Sequence, residues 1–157
     1  MATTPLPFHF SDLLKLLNAH EVRYLLIGGW AVGHYGYTRA THDFDIWVAT
    51  DEVNARRVRA AVLEFIGVAP EIEHLRTVNK IIRMGVPPHR VEITTSVSGV
   101  AFDECYAQRV TTQFGDVPAT VISFQHLLAN KTAAGRPKDL ADVDELTKIN
   151  RKRTRPR

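Results

Sequence analysis

Two aspartates separated by one residue, Asp43 and Asp45, stand in the apolar stretch DFDIWVA. The stretch is typical of a β-strand, in which alternate side chains share one face of the sheet. The two carboxylates therefore point to the same side, roughly 6.6 Å apart along the strand, whereas Phe44 and Ile46 point into the core. Carboxylates this close repel each other unless a cation lies between them, and such oxygen ligands suit Mg²⁺ or Mn²⁺. A solvated strand face is the alternative explanation.

A third acid stands in a second stretch that otherwise reads as a buried strand. Glu92 lies between Val91 and Ile93 in the segment HRVEITT. If this strand neighbours the first, the three carboxylates together could clamp two metal ions for an in-line phosphoryl transfer. The residues predicted to bind metal are therefore Asp43, Asp45 and Glu92.

A glycine pair and an arginine precede the aspartates. The short apolar segment VRYLLI ends at Gly28 and Gly29 and leads into a few residues of helical character. A strand that turns into a helix through glycines can bring backbone N–H groups close to an anion. Arg39 follows, and its planar donors suit a phosphate group, although a surface ion pair would also explain it. We expect Gly28, Gly29 and Arg39 to bind a phosphate group.

The elements that must position these residues can be predicted from periodicity and from capping residues. Ser11 and Thr50 are expected to cap the first and the long third helix, and Ser123 to cap a closing helix. Two further pairs of strands are expected, one joined through prolines and one forming a hairpin around Gly115. The order is helix, strand, short helix, strand, long helix, several strands and closing helices. This order predicts an α/β (α+β) fold, a mixed sheet flanked by helices with a short C-terminal helical part.

The composition excludes several classes of protein. The chain has 157 residues, 45% of them hydrophobic and 24% charged, as expected for a globular protein rather than a disordered one. No apolar run approaches the roughly 18 residues of a membrane span, and the single cysteine, Cys105, cannot form an internal disulfide. The N-terminus has neither a basic start nor an apolar signal core. We therefore expect a cytoplasmic protein with no membrane partner.

The positive charge is concentrated at one end of the chain. The last ten residues, KINRKRTRPR, hold six of the 20 Lys and Arg residues and no acid, so the remaining 147 residues carry 14 basic and 17 acidic side chains. We expect one domain over residues 1–147, with a core at about 10–122 and closing helices at 123–147. Residues 148–157 are then a flexible basic tail, which either binds nucleic acid or is simply solvated.

Taken together, the glycine pair and the three acids resemble the core signature of the polymerase-β-like nucleotidyltransferase superfamily. Gly28, Gly29, Asp43, Asp45 and Glu92 stand at the matching places, and the resemblance covers residues 10–95. It implies a polymerase-β-like nucleotidyltransferase core, a nucleoside triphosphate such as ATP as substrate, Mg²⁺ as cofactor, and release of pyrophosphate. Many members have Ser after the first glycine and Asp as the third acid, whereas this chain has glycine and glutamate there.

Two minimal branches of that superfamily are similar to this chain. The segment from GGWAV to DFDI resembles both the AbiEii-like toxins of bacterial toxin–antitoxin pairs and the small lincosamide nucleotidyltransferases. The closing segment NKTAAGRPKDLADVDEL resembles the AbiEii-like pattern. That resemblance implies that Lys131 faces the triphosphate and that Asp139 is a catalytic base or an orienting acid. The alternative for Lys131 is an interaction with the helix dipole.

The resemblance also limits the possible acceptors of the nucleotidyl group. The AbiEii likeness points to an RNA 3′ end, above all that of tRNA, or to a hydroxyl of a protein, with a cognate antitoxin as a further partner. The lincosamide likeness points to an antibiotic alcohol of the lincosamide or aminoglycoside kind. A non-catalytic RNA-binding module is the alternative of another class. In the enzyme, Glu92 or Asp139 would help to remove the proton from the attacking hydroxyl.

Overall fold

The structure is a computed structural model that describes residues 8–41 and 43–155. Its helices are α1 (Phe8–Ala19), α2 (Gly28–His34), α3 (Glu52–Ile66), α4 (Ile72–Arg76), α5 (Phe102–Ala107), α6 (Phe124–Ala134) and α7 (Pro137–Thr154). Its strands are β1 (Tyr24–Ile27), β2 (Asp43–Val48), β3 (Ile81–Met84), β4 (Arg90–Thr94), β5 (Val110–Phe114) and β6 (Val117–Val121). The predicted α/β fold class is confirmed. The short helices α4 and α5 were not predicted, because five or six residues are too few for a helical period to be recognised.

The six strands form one mixed sheet in the order β3-β4-β2-β1-β6-β5. Strands β2 and β4 are parallel, as are β1 and β6, and the three remaining pairs are antiparallel. Helix α3 and the segment after it make the long connection from β2 to β4 that a parallel pair requires. Strand β2 therefore lies inside the sheet, directly between β1 and β4.

The core lies against one face of β2, as the alternation of its residues predicted. Phe44, Ile46 and Val48 are completely buried. The ring of Phe10 from α1 stacks on Phe44 at 4.6 Å between centroids, and Trp30 from α2 meets Phe44 edge to face at 5.9 Å. Burial of this face fixes the register of β2, since a shift by one residue would bring the aspartates into the core.

The starts of the helices differ from the predictions in two of three cases. Helix α1 begins at Phe8 rather than after Ser11, because Phe10 is also part of the core and extends the apolar face towards the N-terminus. Asp51 rather than Thr50 caps α3, accepting a hydrogen bond of 3.0 Å from the Asn54 amide. Ser123 caps α6, as predicted, through a hydrogen bond from the amide of His126.

Helix α7 extends further than the sequence indicated. We expected the closing helices to end at residue 147, but α7 extends to Thr154 and so includes most of the basic segment. The reason is that Lys and Arg are good helix formers and are favoured near a helix C-terminus. The side chains of Arg151, Lys152 and Arg155 are exposed.

None of the helices within residues 8–41 and 43–155 combines the length and apolar character needed to cross a membrane.

Candidate active site

The three predicted metal ligands lie together on two neighbouring strands. Asp45 on β2 is directly opposite Glu92 on the parallel strand β4, and Asp43 lies two residues earlier on the same face. One carboxylate oxygen from each residue lies within 4.8 Å of those of the other two. All three side chains are partly buried. We call Asp43, Asp45 and Glu92 the acidic triad.

The two glycines at the start of α2 allow the chain to approach the triad closely. Gly28 has φ of +66°, and a Cβ atom placed there would lie 2.2 Å from Oδ2 of Asp45. At Gly29 a Cβ atom would lie 2.5 Å from Oγ1 of Thr41 in the loop that leads to β2. A side chain at either position would collide with the neighbouring residue. Both glycines are therefore needed for this local packing.

The pKa of Asp45 reflects the concentration of negative charge. Burial, and after it the charges of Glu92 and Asp43, together raise this pKa from 3.8 to about 7, against the opposing effect of Lys131. Asp45 therefore loses its proton near neutral pH rather than near its ordinary pKa of 3.8. Two like charges and partial desolvation have this effect wherever carboxylates share a site.

Two arginines that the sequence analysis did not identify pair with the triad. Arg90 on β4 donates hydrogen bonds to both oxygens of Asp43, at 2.7 Å from Nε and 3.1 Å from Nη2, and its Nη2 lies 3.6 Å from Glu92. Arg83 on β3 donates from Nε to Glu92 at 2.9 Å. Alternation could have indicated Arg90, since it stands two residues before Glu92 on one strand. Arg83 required the β3–β4 register, which places it opposite Glu92.

Lys131 lies in a buried ionic network between α6 and α7. Its ammonium lies 3.3 Å from Asp139 and 3.0 Å from Asp142, and the residue is 5% exposed. Asp142 also accepts two hydrogen bonds of 2.8 Å from Arg39. Arg39 was predicted to contact phosphate, with a surface ion pair as the alternative; in this structure its guanidinium binds a buried carboxylate of α7, so the pair is not a surface one, and the phosphate contact stays a prediction. Asp142 was not predicted, because nothing in the local sequence indicates its partner 103 residues away.

The carboxylate of Asp139 is held by two cations. Arg136 donates to it at 2.6 Å from Nε and 3.2 Å from Nη2, in addition to the contact with Lys131. Burial alone would raise the pKa of Asp139, but the hydrogen bonds of Arg136 and the charge of Lys131 outweigh it and lower this pKa. A carboxylate so held is a weak base. Of the two roles expected for Asp139, the geometry favours the orientation of Lys131.

An open cleft of about 510 Å³ lies over the triad. A smaller cleft of about 290 Å³ adjoins it and continues past Gly28 and Gly29 to Arg39. The larger cleft is within the size range of ordinary ligand sites. Five basic side chains line it together with the acids: Arg83, Arg90, Lys131, Arg136 and Lys138. It can therefore accept a ligand with several negative charges.

Comparison with known proteins assigns the fold. No protein-family model and no curated protein matches the sequence. Among solved structures, the chain is similar to an antigenic nucleotidyltransferase-like protein from Paracoccidioides brasiliensis. The TM-score is 0.53 at 17% identity, over 88% of this chain and 72% of the other. The fold is nucleotidyltransferase-like.

The acidic triad of this nucleotidyltransferase-like fold fits a divalent metal ion. Its three carboxylates offer hard oxygen donors, which Mg²⁺ and Mn²⁺ prefer. Their ligand atoms are near enough to one another to contact a common ion. The raised pKa of Asp45 and the arginine bound to Asp43 both indicate that the triad requires positive charge.

The structure thus brings most of the predicted site residues to one cleft of the nucleotidyltransferase-like fold. Lys131 and Asp139 lie at the wall of the cleft that holds the triad, and Gly28 is at its floor beside Asp45. Gly29 and Arg39 line only the smaller cleft. The roles of these residues in binding or catalysis stay predictions.

Proposed function

We propose that the protein is a Mg²⁺-dependent nucleotidyltransferase, which transfers a nucleoside monophosphate from a nucleoside triphosphate to an acceptor hydroxyl. The observation that carries the proposal is the convergence of three carboxylates on adjacent parallel strands, within a cleft lined by five basic side chains. The carboxylates suit the metal ion and the basic side chains suit the phosphates, so that a cleft with both suits a complex of metal and triphosphate. The nucleotidyltransferase-like fold supports the same kind of reaction.

The reaction is an in-line displacement at the α-phosphorus. The acceptor oxygen forms a new bond to this phosphorus while the bond to the pyrophosphate oxygen breaks, and pyrophosphate leaves. Asp43, Asp45 and Glu92 would hold the metal ion, which would neutralise charge on the triphosphate and polarise its oxygens. Glu92 takes the proton of the hydroxyl, because its side chain is 19% exposed in the cleft and can be reached by an acceptor, whereas that of Asp139 is 1% exposed. Lys131, oriented by Asp139, places its positive charge next to Asp45.

We propose RNA as the acceptor, in a toxin-type enzyme as the AbiEii resemblance implies. Helix α7 directly follows Arg136 at the cleft, carries the exposed Arg151 and Lys152 near its other end, and is followed there by the exposed Arg155. At 1.5 Å per residue, Arg151 is roughly 22 Å from Arg136 along the helix axis. An RNA whose 3′ end reaches the triad could contact these cations about six stacked nucleotides upstream, at roughly 3.4 Å each. A small antibiotic alcohol could not span this distance.

Label transfer tests the proposed reaction. The protein is incubated with Mg²⁺ and each α-labelled nucleoside triphosphate, with total tRNA in one set and cell lysate in another. We expect label on tRNA, lost in Asp43→Asn and in Asp45→Asn, which remove a charge at constant shape. Asp116→Asn, in the exposed β5–β6 turn, is the matched control and should retain transfer. Transfer that survives both triad variants would refute the proposed chemistry.

The other outcomes of this assay identify the acceptor. Label on protein would identify a protein hydroxyl, rather than RNA, as the acceptor. The product of an antitoxin gene beside this one would then be the first acceptor to test. Label on an antibiotic panel alone would favour the lincosamide-like or aminoglycoside-like alternative. Binding of RNA without any transfer would favour the non-catalytic module.

The RNA contact of α7 has a test of its own. The triple variant Arg151→Gln/Lys152→Gln/Arg155→Gln should weaken RNA binding and lower the slope of log affinity against log salt concentration by about 2, since each single-strand phosphate contact contributes roughly 0.7. The charge-matched control is Arg56→Gln/Arg59→Gln/Arg76→Gln, at exposed positions of α3 and α4. Equal salt slopes for the two triple variants would exclude the α7 contact.

A further inference from the structure

The cation bound to Asp43 of the triad in this structure is Arg90, an arginine of the protein itself. Arg90 uses two donors on the two oxygens of Asp43, and a third short approach joins it to Glu92. The hydrogen bonds to Asp43 are the main reason that the pKa of Arg90 is raised. A metal ion bound by Asp43 must take an oxygen on which Arg90 now donates. The metal and the guanidinium therefore compete for one carboxylate.

Arg90 also lies where the phosphates of a nucleotide would enter. Its side chain is 31% exposed and lines the cleft of about 510 Å³ that also holds Lys131 and Arg136. Arginine stays protonated at every accessible pH, so that a guanidinium released from Asp43 must find another anion or water. A phosphate group fits the planar donors of arginine as well as a carboxylate does.

From these contacts we infer that Arg90 exchanges partners during substrate binding. In the metal-free protein it neutralises Asp43, and in the loaded protein it binds a phosphate of the nucleoside triphosphate. This inference rests on the proposed function, since it assigns a metal to the triad and a triphosphate to the cleft. It makes Arg90 a nucleotide-binding residue and makes the binding of metal and triphosphate mutually supportive. The metal takes Asp43 away from Arg90, and the triphosphate takes Arg90 away from Asp43. Each ligand therefore favours the binding of the other, and such coupling is reciprocal.

The exchange predicts opposite effects of one substitution on two affinities. Arg90→Gln should tighten Mn²⁺ binding by roughly threefold to tenfold, because no guanidinium then occupies Asp43. The same variant should weaken the binding of tripolyphosphate at saturating Mn²⁺ by about tenfold, because one bidentate phosphate contact is lost. An arginine that only held β4 in place would not produce this pair of opposite changes.

Calorimetric titration of the full chain with Mn²⁺, and then with tripolyphosphate, measures both affinities without any turnover and without knowledge of the base. Arg90→Lys keeps the positive charge but loses the paired planar N–H donors of the guanidinium. Its affinities for Mn²⁺ and for tripolyphosphate should therefore lie between those of wild type and Arg90→Gln. Arg56→Gln, which breaks an exposed pair with Glu52 on α3, is the matched control and should change neither affinity. A thermal melt of each variant establishes that it is folded.

The outcomes separate this inference from the proposed function. Mn²⁺ affinity that is unchanged or lower in Arg90→Gln, or tripolyphosphate affinity that is unchanged, would overturn the exchange even if label transfer depends on Asp43. Opposite shifts in a protein that transfers no label would uphold the exchange and refute the proposed reaction.

Discussion

Replacement of Asp45 by Asn should stabilise the metal-free protein at alkaline pH. In the folded protein, burial and the charges of Glu92 and Asp43 raise the pKa of Asp45 from 3.8 to about 7. The folded pKa lies above the unfolded one, so folding takes up a proton between these two values. The contribution of Asp45 to stability is therefore greatest below pH 3.8 and is lost as the pH rises to about 7.

The size of the effect follows from the pKa shift. A shift of about three units corresponds to about 4 kcal/mol at 1.36 kcal/mol per unit. Water in the open cleft screens part of the repulsion, which leaves about 2 kcal/mol as the expected penalty above pH 8. Asn at position 45 carries no charge and removes this penalty. Below pH 4 the wild type is protonated, and the two proteins should differ by less than about 0.5 kcal/mol.

Urea denaturation in EDTA, at pH 4, 6 and 8.5, measures the effect as the difference in unfolding free energy between Asp45→Asn and wild type. The contributions of all other titratable groups cancel in this difference, because the two proteins share them. Mg²⁺ should stabilise the wild type at pH 8.5 and leave Asp45→Asn nearly unchanged, because a ligand stabilises only the state that binds it. A difference that is flat with pH, or a variant less stable than wild type at pH 8.5, would refute the interpretation of the triad as mutually repelling charges.

Three further outcomes are expected. Gly28→Ala should cost at least about 2 kcal/mol of unfolding free energy and weaken Mn²⁺ binding, since the new Cβ atom meets Asp45; Gly33→Ala, in open space on the same helix, should be neutral or stabilising. Lys131→Met should cost about 3 kcal/mol, because two buried aspartates lose their shared cation, whereas Lys148→Met, in an exposed pair, should cost about 0.5 kcal/mol or less in the same urea titration. EDTA should abolish label transfer, and excess Mg²⁺ should restore it; full transfer in EDTA would exclude a metal at the triad.

Local sequence predicted the parts of the site that depend on strand alternation. The face of β2 that carries Asp43 and Asp45 follows from a period of two, and the apolar residues between them fix it. The apolar residues around Glu92 indicate a buried strand that could neighbour β2. They do not indicate the register that places Glu92 directly opposite Asp45. Register depends on which strands are neighbours, and a connection of more than 40 residues separates β2 from β4.

The partners of the basic side chains could not be predicted from the sequence. Arg39 resembles a phosphate ligand in its local context, and only the docking of α7 reveals Asp142 beside it. Alternation places Arg90 on the same face of β4 as Glu92, but its pairing with Asp43 depends on the register of β2 and β4. The end of α7 was misplaced because runs of Lys and Arg occur both in helices and in unstructured tails, and composition does not distinguish them. In each case the missing information was a contact between distant parts of the chain.

The Arg39–Asp142 pair determines when during synthesis the cleft can be completed. These residues are 103 positions apart, and Lys131 has neither of its aspartate partners until α7 exists. A growing chain that ends before residue 137 contains the whole acidic triad and both glycines but lacks the helix that closes the ionic network. During synthesis every strand of the sheet is therefore present before this contact can form. A complete cleft, and with it the proposed activity, is then expected only after α7 has been synthesised.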